Sequence, residues 1–156
     1  MSQSNGKPWG LISFSLFKDQ LIKLVDEVEN IKNNQPEKFR SHPKFILLQG
    51  IQKCITSDIP NNPNHRRFLL GNTLGSRYKH FRRAKRLLPN RYRLFFIFNS
   101  RVKEIIYIWL NDPSTLRKAG ARTDVYAVFK KKLDAHAIPD TFEGLKEQSS
   151  QLNLSS

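Results

Sequence analysis

Two apolar runs lie almost back to back in this chain, and they limit its architecture more than any other feature. Arg91 to Phe98 reads Arg-Tyr-Arg-Leu-Phe-Phe-Ile-Phe and is apolar on both faces beyond Arg93. Asn99-Ser100 then turns the chain into a second run, Val102 to Leu110. Both have strand length, and apolar residues on both faces mark strands in the middle of a sheet. The short turn makes them sequential neighbours, so the fold is organised around this pair.

The segments on either side follow other periods. Residues 1–8 are polar and read as a disordered lead, and Trp9 to Ile12 suits a short strand. Ser13 or Ser15 supplies an N-cap, after which Phe14, Phe17, Leu21, Leu24, Val28 and Ile31 recur at helical spacing as far as Asn33-Asn34. Pro36 suits the first position of a second helix, with Pro43 as a kink or restart. Leu47, Leu48, Ile51, Cys54 and Ile55 give that helix an apolar face, which Pro60 and Pro63 stop. Past Gly71 and Gly75 the period falls to two, and Tyr78 to Leu87 reads as an edge strand charged on both faces. Asp112-Pro113 ends the strands. A last helix spans Asp124 to Ala135, Pro139 ends it, and a polar tail closes the chain.

The order is strand, two helices, three strands, helix. This predicts an α+β fold, with two N-terminal helices packed on one face of a small, mainly antiparallel sheet and a C-terminal helix. The domain is expected over 9–138, with 139–156 as a C-terminal tail. A length of 156 residues, with 38% hydrophobic content and eleven Phe, suffices for one such core.

Charge narrows the function. The formal net charge is +14 and the pI about 10.2. From Ile59 to Lys103 there are twelve Lys and Arg and no acid, so twelve of the fourteen net charges fall in that stretch. Such a field calls for a polyanionic partner: nucleic acid, an acidic protein or an anionic membrane. The longest apolar run, Ile105 to Leu110, is too short to span a bilayer. Cys54 is the lone cysteine and the N-terminus has no apolar h-region, which together point to the reducing cytoplasm.

Several chemistries are disfavoured. His42, His65, His80 and His136 are scattered and form no metal-ligand spacing with Cys54 or a carboxylate, so no metal and no cofactor is expected. No Gly-rich loop ends in Gly-Lys-Ser/Thr, and no serine or cysteine nucleophile can be assembled with its base. The basic face remains. Strand alternation places Arg83 and Lys85 on one side and Arg91 and Arg93 on one side of the next strand, with Arg82 and Arg86 beside them. The bland alternative is a solvated edge. Against it, a charge flanked by core residues needs a partner.

RNA can be cut without a metal when its ribose 2′-hydroxyl attacks the neighbouring phosphate. Arginines suit stabilisation of the charge on phosphorus. Lys85 and Tyr126 are residue types able to move the protons.

Six blocks then fall in order: Phe68-Leu-Leu-Gly71 with Leu74-Gly75, Phe81-Arg-Arg-Ala-Lys85, Arg91-Tyr-Arg-Leu-Phe-Phe96, Trp109-Leu-Asn-Asp112, Thr115-Leu-Arg117 and Thr123-Asp-Val-Tyr126. Together they resemble the YhaV toxin family of the PrlF–YhaV toxin–antitoxin pairs, a branch of the RelE superfamily of mRNA interferases. The resemblance is strongest from Phe68 to Leu133. It implies a RelE-like fold and endoribonuclease activity on mRNA, free or on the ribosome. It also implies neutralisation by a PrlF-like antitoxin with a swapped-hairpin, AbrB-type DNA-binding part, through which alone the toxin would meet operator DNA.

Position by position, the resemblance matches Arg83 and Lys85 to a basic pair, Arg93 to a phosphate contact, Arg117 to a transition-state group and Tyr126 to a substrate-orienting group. This makes Lys85, Arg93, Arg117 and Tyr126 the catalytic candidates. Arg82, Arg83, Arg86 and Arg91 of the basic face are the candidates for RNA binding. A long segment, Lys118 to Val125, separates Arg117 from Tyr126, so Tyr126 is either a catalytic group or a packing residue at a helix start. Asn111, Asp112 and Asp124 are caps or turn residues, or else Asp112 or Asp124 holds Arg117 in place. A non-catalytic RNA- or ribosome-binding module with the same basic face, and a protein whose charge serves only an acidic partner, stand as the alternative functions.

Overall fold

A computed structural model of the chain describes residues 8–152. Residues 1–7 of the lead expected over 1–8, and the last four residues, lie outside that range. Five strands form one mixed sheet in the order β2-β3-β4-β1-β5. These are β1 (Gly10–Phe14), β2 (Arg82–Ala84), β3 (Leu94–Asn99), β4 (Glu104–Leu110) and β5 (Ser149–Gln151). The two apolar runs form the antiparallel β3–β4 pair at its heart. Three of the four strand pairings are antiparallel, and β1 lies parallel to β4.

Helices cover both faces of this sheet, not one. On one side lie α1 (Ser15–Asn34) and α2 (Pro43–Lys53), which bury Phe17, Leu21, Leu24 and Ile51 against Phe96, Ile105 and Tyr107. On the other lie α3 (Val125–Asp134) and α4 (Phe142–Glu147), which bury Val125, Phe129, Leu133 and Leu145 against Phe95, Ile97 and Ile106. The physical reason was present in β3 and β4 themselves. A strand apolar on both faces leaves half its area wet unless both faces are packed.

Other local expectations are corrected. Neither Ser13 nor Ser15 caps α1: Phe14 occupies the cap position as the last residue of β1, with no side-chain hydrogen bond. The second helix begins at Pro43, not Pro36, and His42 caps it by accepting a hydrogen bond from the Lys44 N–H at 3.1 Å on Nδ1. Past Lys53 it continues as a π turn, Cys54–Asp58, whose Ile55 carbonyl accepts the buried Tyr107 hydroxyl at 2.7 Å. The strand expected over 78–87 shrinks to three residues. Tyr78 belongs instead to a 3₁₀ turn, Ser76–Tyr78, from which it reaches the core.

Residues 139–152, read as a tail, enter the fold. Leu145 is fully buried, and β5 pairs antiparallel with β1. Ser-Ser-Gln has no apolar alternation, so nothing in its composition announces a strand. Among the described residues no helix is long and apolar enough to cross a membrane.

Candidate active site

The site is built at the end of the sheet where β3 begins and β4 stops. A register shift between Phe95 and Phe96 pairs Phe95 with Trp109 and Phe96 with Tyr107. As a result Ile108 and Trp109, neighbours in sequence, both enter the core under α3. Phe95 and Trp109 stack there, and Phe129 of α3 stacks on Phe95 with ring centroids 3.9 Å apart. Tyr126, one turn earlier on α3, meets the edge of Phe95 at 5.9 Å. The aromatic stack therefore sets the height and angle of the Tyr126 ring.

Three arginines converge on that ring. Arg83 Nη1 donates to the Tyr126 hydroxyl oxygen at 2.8 Å, and Arg93 Nε donates to the same oxygen at 3.1 Å. The Arg117 guanidinium lies over the ring, 4.9 Å from its centroid. Arg83 is itself held from behind, its Nη2 donating to the Leu69 carbonyl at 3.1 Å. Arg83 sits opposite Phe95 in the β2–β3 ladder, which places it on the α3 face.

One carboxylate organises this group. Asp124 caps α3, accepting the Tyr126 N–H at 3.1 Å on one oxygen. Its other oxygen accepts Arg117 Nη1 at 2.8 Å and the Lys118 N–H at 2.6 Å. Burial alone would raise this carboxyl, but the hydrogen bonds from Arg117 and Lys118 hold it below its ordinary range. Asp124 therefore fixes both the ring-bearing helix and the guanidinium lying over the ring. Asp112 does neither. It caps the 3₁₀ turn Pro113–Thr115, bonding the Ser114 N–H and the Ser114 and Thr115 hydroxyls.

The backbone under the arginines is clamped by Asn111. Its side-chain oxygen accepts the Arg93 N–H at 2.7 Å, and its Nδ2 donates to the carbonyls of Arg91 and Thr115. The Arg117 N–H also donates to the Arg91 carbonyl, at 3.1 Å. Arg91 itself takes a left-handed φ of 73°, a conformation that non-glycine residues adopt at a cost of about 1–2 kcal/mol. Because β3 starts at Leu94, Arg91 and Arg93 do not share a strand face as alternation had suggested.

The structure thus gathers Arg83, Arg93, Arg117, Tyr126 and Asp124. It leaves Lys85 exposed, its side-chain amine without a hydrogen bond or ion pair among the described residues, and Arg91 exposed. Arg86 points elsewhere and, with Arg67, binds Asp58 at 2.8 and 2.7 Å. Arg82 bonds the Lys79 and Phe81 carbonyls. Sequence reasoning left Asn111 as a cap or turn residue and passed over the Leu69 carbonyl. A buried amide between a strand end and a proline turn is the signal for the first. No side-chain pattern marks the second.

The α+β sheet thus presents three fixed guanidiniums around one phenol, with a single carboxylate behind them. Residues 11–150 match the family of toxins with endonuclease activity that belong to toxin–antitoxin systems, the YhaV toxins. The chain belongs to this family. It is similar to Toxin YhaV of Escherichia coli O6:H1 (strain CFT073), with 36% identity over 144 residues that cover 92% of this chain and 93% of that protein. The same figures hold for Ribonuclease toxin YhaV of Escherichia coli strain K12. No solved structure matches the chain.

Proposed function

We propose that this chain is an endoribonuclease toxin that cuts mRNA without a metal, by attack of the ribose 2′-hydroxyl on the adjacent phosphate. The observation that carries the reading is the hydrogen bonding of the Tyr126 oxygen. That oxygen accepts two guanidinium hydrogen bonds, so its own O–H is directed away from both and donates to nothing among the described residues. A proton held this way suits protonation of the departing 5′-oxygen, with Arg83 and Arg93 stabilising the charge left on the phenol.

In this scheme the 2′-oxygen gives up its proton and bonds to phosphorus. The bond from phosphorus to the 5′-oxygen then breaks, and that oxygen takes the Tyr126 proton. A 2′,3′-cyclic phosphate and a 5′-hydroxyl result. Arg117 and Arg93 stabilise the charge on the pentavalent phosphorus. Lys85, exposed two residues beyond Arg83, is the amine proposed to take the 2′ proton. Among the described residues no group of three or more His, Cys, Asp and Glu gathers as metal ligands.

A cytoplasmic, PrlF-like antitoxin with a swapped-hairpin, AbrB-type DNA-binding part would cover Arg83, Lys85, Arg93 and Arg117 and carry the complex to operator DNA. The test incubates purified protein with mRNA in EDTA, with and without ribosomes, and identifies the new ends. Cyclic-phosphate ends, and no cutting where a single 2′-deoxy sugar precedes the bond, are expected. Binding without cutting in both settings would make the chain a non-catalytic RNA- or ribosome-binding module.

A further inference from the structure

β2 starts at Arg82, opposite Phe96, so β3 runs on through Ile97, Phe98 and Asn99 with no strand beside it on that side. The gap is a cavity of about 540 Å³. Phe98 and Ile97 line it from the sheet, Phe142 from the start of α4, and His80 and Arg82 from the incoming chain. The His80 Nε2, 2.6 Å from the Asp140 carbonyl, ties the two sides together.

The lining mixes two chemistries. Phe98, Phe142 and the His80 ring are aromatic surfaces, and the Arg82 guanidinium lies 5.5 Å over Phe98. Arg82 spends Nη1 on two backbone carbonyls, and its Nη2 donates to nothing among the described residues. Asp140 also lines the cavity, with only a long 3.6 Å contact to Arg77. A phosphate would sit poorly beside aromatic rings and a carboxylate. An aliphatic side chain would leave Arg82 and Asp140 unmet. A planar ring with donors and acceptors on its edge meets both sets, and single-stranded nucleic acid is held in this way, by stacking together with cationic contacts.

We propose that this cavity is a base-binding subsite that takes one nucleobase of the RNA substrate, stacked against Phe142 and bonded at its edge by Arg82 and Asp140. The inference rests on the RNA-cleaving reading above. Arg82 and Arg83 are consecutive, yet Arg83 reaches Tyr126 and Arg82 reaches Phe98, so one edge strand serves both sites. Arg93 and Phe98 are five residues apart on an extended chain, roughly 16 Å. A stacked strand advancing about 3.4 Å per nucleotide spans that in no more than about five nucleotides. The bound base therefore lies a few nucleotides from the bond that is cut.

The test compares affinity for a 2′-O-methyl RNA, which cannot be cut, with affinity for inorganic polyphosphate, which has the charge but no bases. Phe142→Ala and the exposed-site variant His80→Ala should weaken RNA binding by between about 5- and 100-fold, the range for loss of one base stack, and leave polyphosphate binding unchanged. Ultraviolet cross-linking of wild-type protein to RNA should attach bases to peptides containing Phe98 or Phe142. Equal loss on both polymers, or no loss on either, overturns the proposal. So does reduced affinity for the antitoxin with RNA binding intact, which would make the cavity a protein anchor. Cleavage of ordinary mRNA by wild-type protein, measured separately, reports whether the underlying reading stands.

Discussion

At the scale of single residues, the proposed mechanism divides its labour between a proton and a charge. Tyr126→Phe removes one hydroxyl and keeps the ring that packs on Phe95. It is expected to slow RNA cleavage by about 10²-fold or more at saturating RNA, with the melting temperature shifted by only a few degrees. Arg117→Ala should cut turnover similarly while RNA affinity stays within a few fold, because Arg117 acts mainly on charge that develops in the transition state. Arg93→Ala should lower both. Single-turnover rates and binding titrations separate these outcomes; a pure affinity loss for Arg117→Ala would refute the assignment.

Asp124 carries the pH dependence. Burial opposes its charge, but the Arg117 and Lys118 hydrogen bonds win and depress its pKa below the ordinary 3.8. A depressed carboxyl stabilises the fold at pH above its unfolded value, and this contribution is lost as pH falls through the folded value. Asp124→Asn, which can still cap α3, is therefore expected to be less stable than wild type by about 1–3 kcal/mol near neutrality. The difference should close as pH drops below about 3.8, read from melting curves across pH. Arg93 was legible in the sequence as part of the basic stretch, and Arg117 and Tyr126 as positions matching the family's motifs. Their partner was narrowed only to Asp112 or Asp124, because composition does not tell which carboxylate the folded chain turns toward Arg117.

At the scale of elements, strand edges and helix approaches rest on backbone, which composition reports poorly. Gly50 lies within α2, where alanine is ordinarily better by about 0.5–1 kcal/mol. Here an added Cβ would stand 2.5 Å from the Leu87 carbonyl oxygen, a backbone atom that cannot swing away. Gly50→Ala should destabilise the protein by about 1–3 kcal/mol, as overpacking does, measurable by denaturant unfolding. A neutral or stabilising result would mean that the chain beyond β2 does not press on α2. Truncation after Ile138 removes β5 and the fully buried Leu145. It should lower the melting temperature by many degrees, since a buried leucine alone is worth about 2–5 kcal/mol. The helical stripes and the two apolar strands were readable because their periods repeat over several turns or pairs. β2 and β5, at three residues each, are shorter than any period that could announce them.

At the scale of the whole molecule, the proposed function makes the net charge of +14 the first thing RNA would meet. Arg67 and Arg86 share the single carboxylate of Asp58, and Arg117 pairs with Asp124. Affinity for RNA should fall steeply as salt rises, by about 10³-fold or more between 50 and 200 mM if six or more phosphates are contacted. A flat salt response in anisotropy titrations would remove the basic stretch from the interface.

The place of β1 in the sheet has a consequence in time. This strand opens the described chain, yet its neighbours on either side are β4 and β5, the latter at the far end. Leu11 accepts a hydrogen bond from the Leu152 N–H. A ribosome delivers residues in order, and long-range pairings of this kind close late. During translation β1 waits with both edges open until residues near 110, and then near 152, have emerged. The sheet that supports Tyr126 and its arginines therefore closes only after residues near 152 have emerged, well after every side chain of the site has been made.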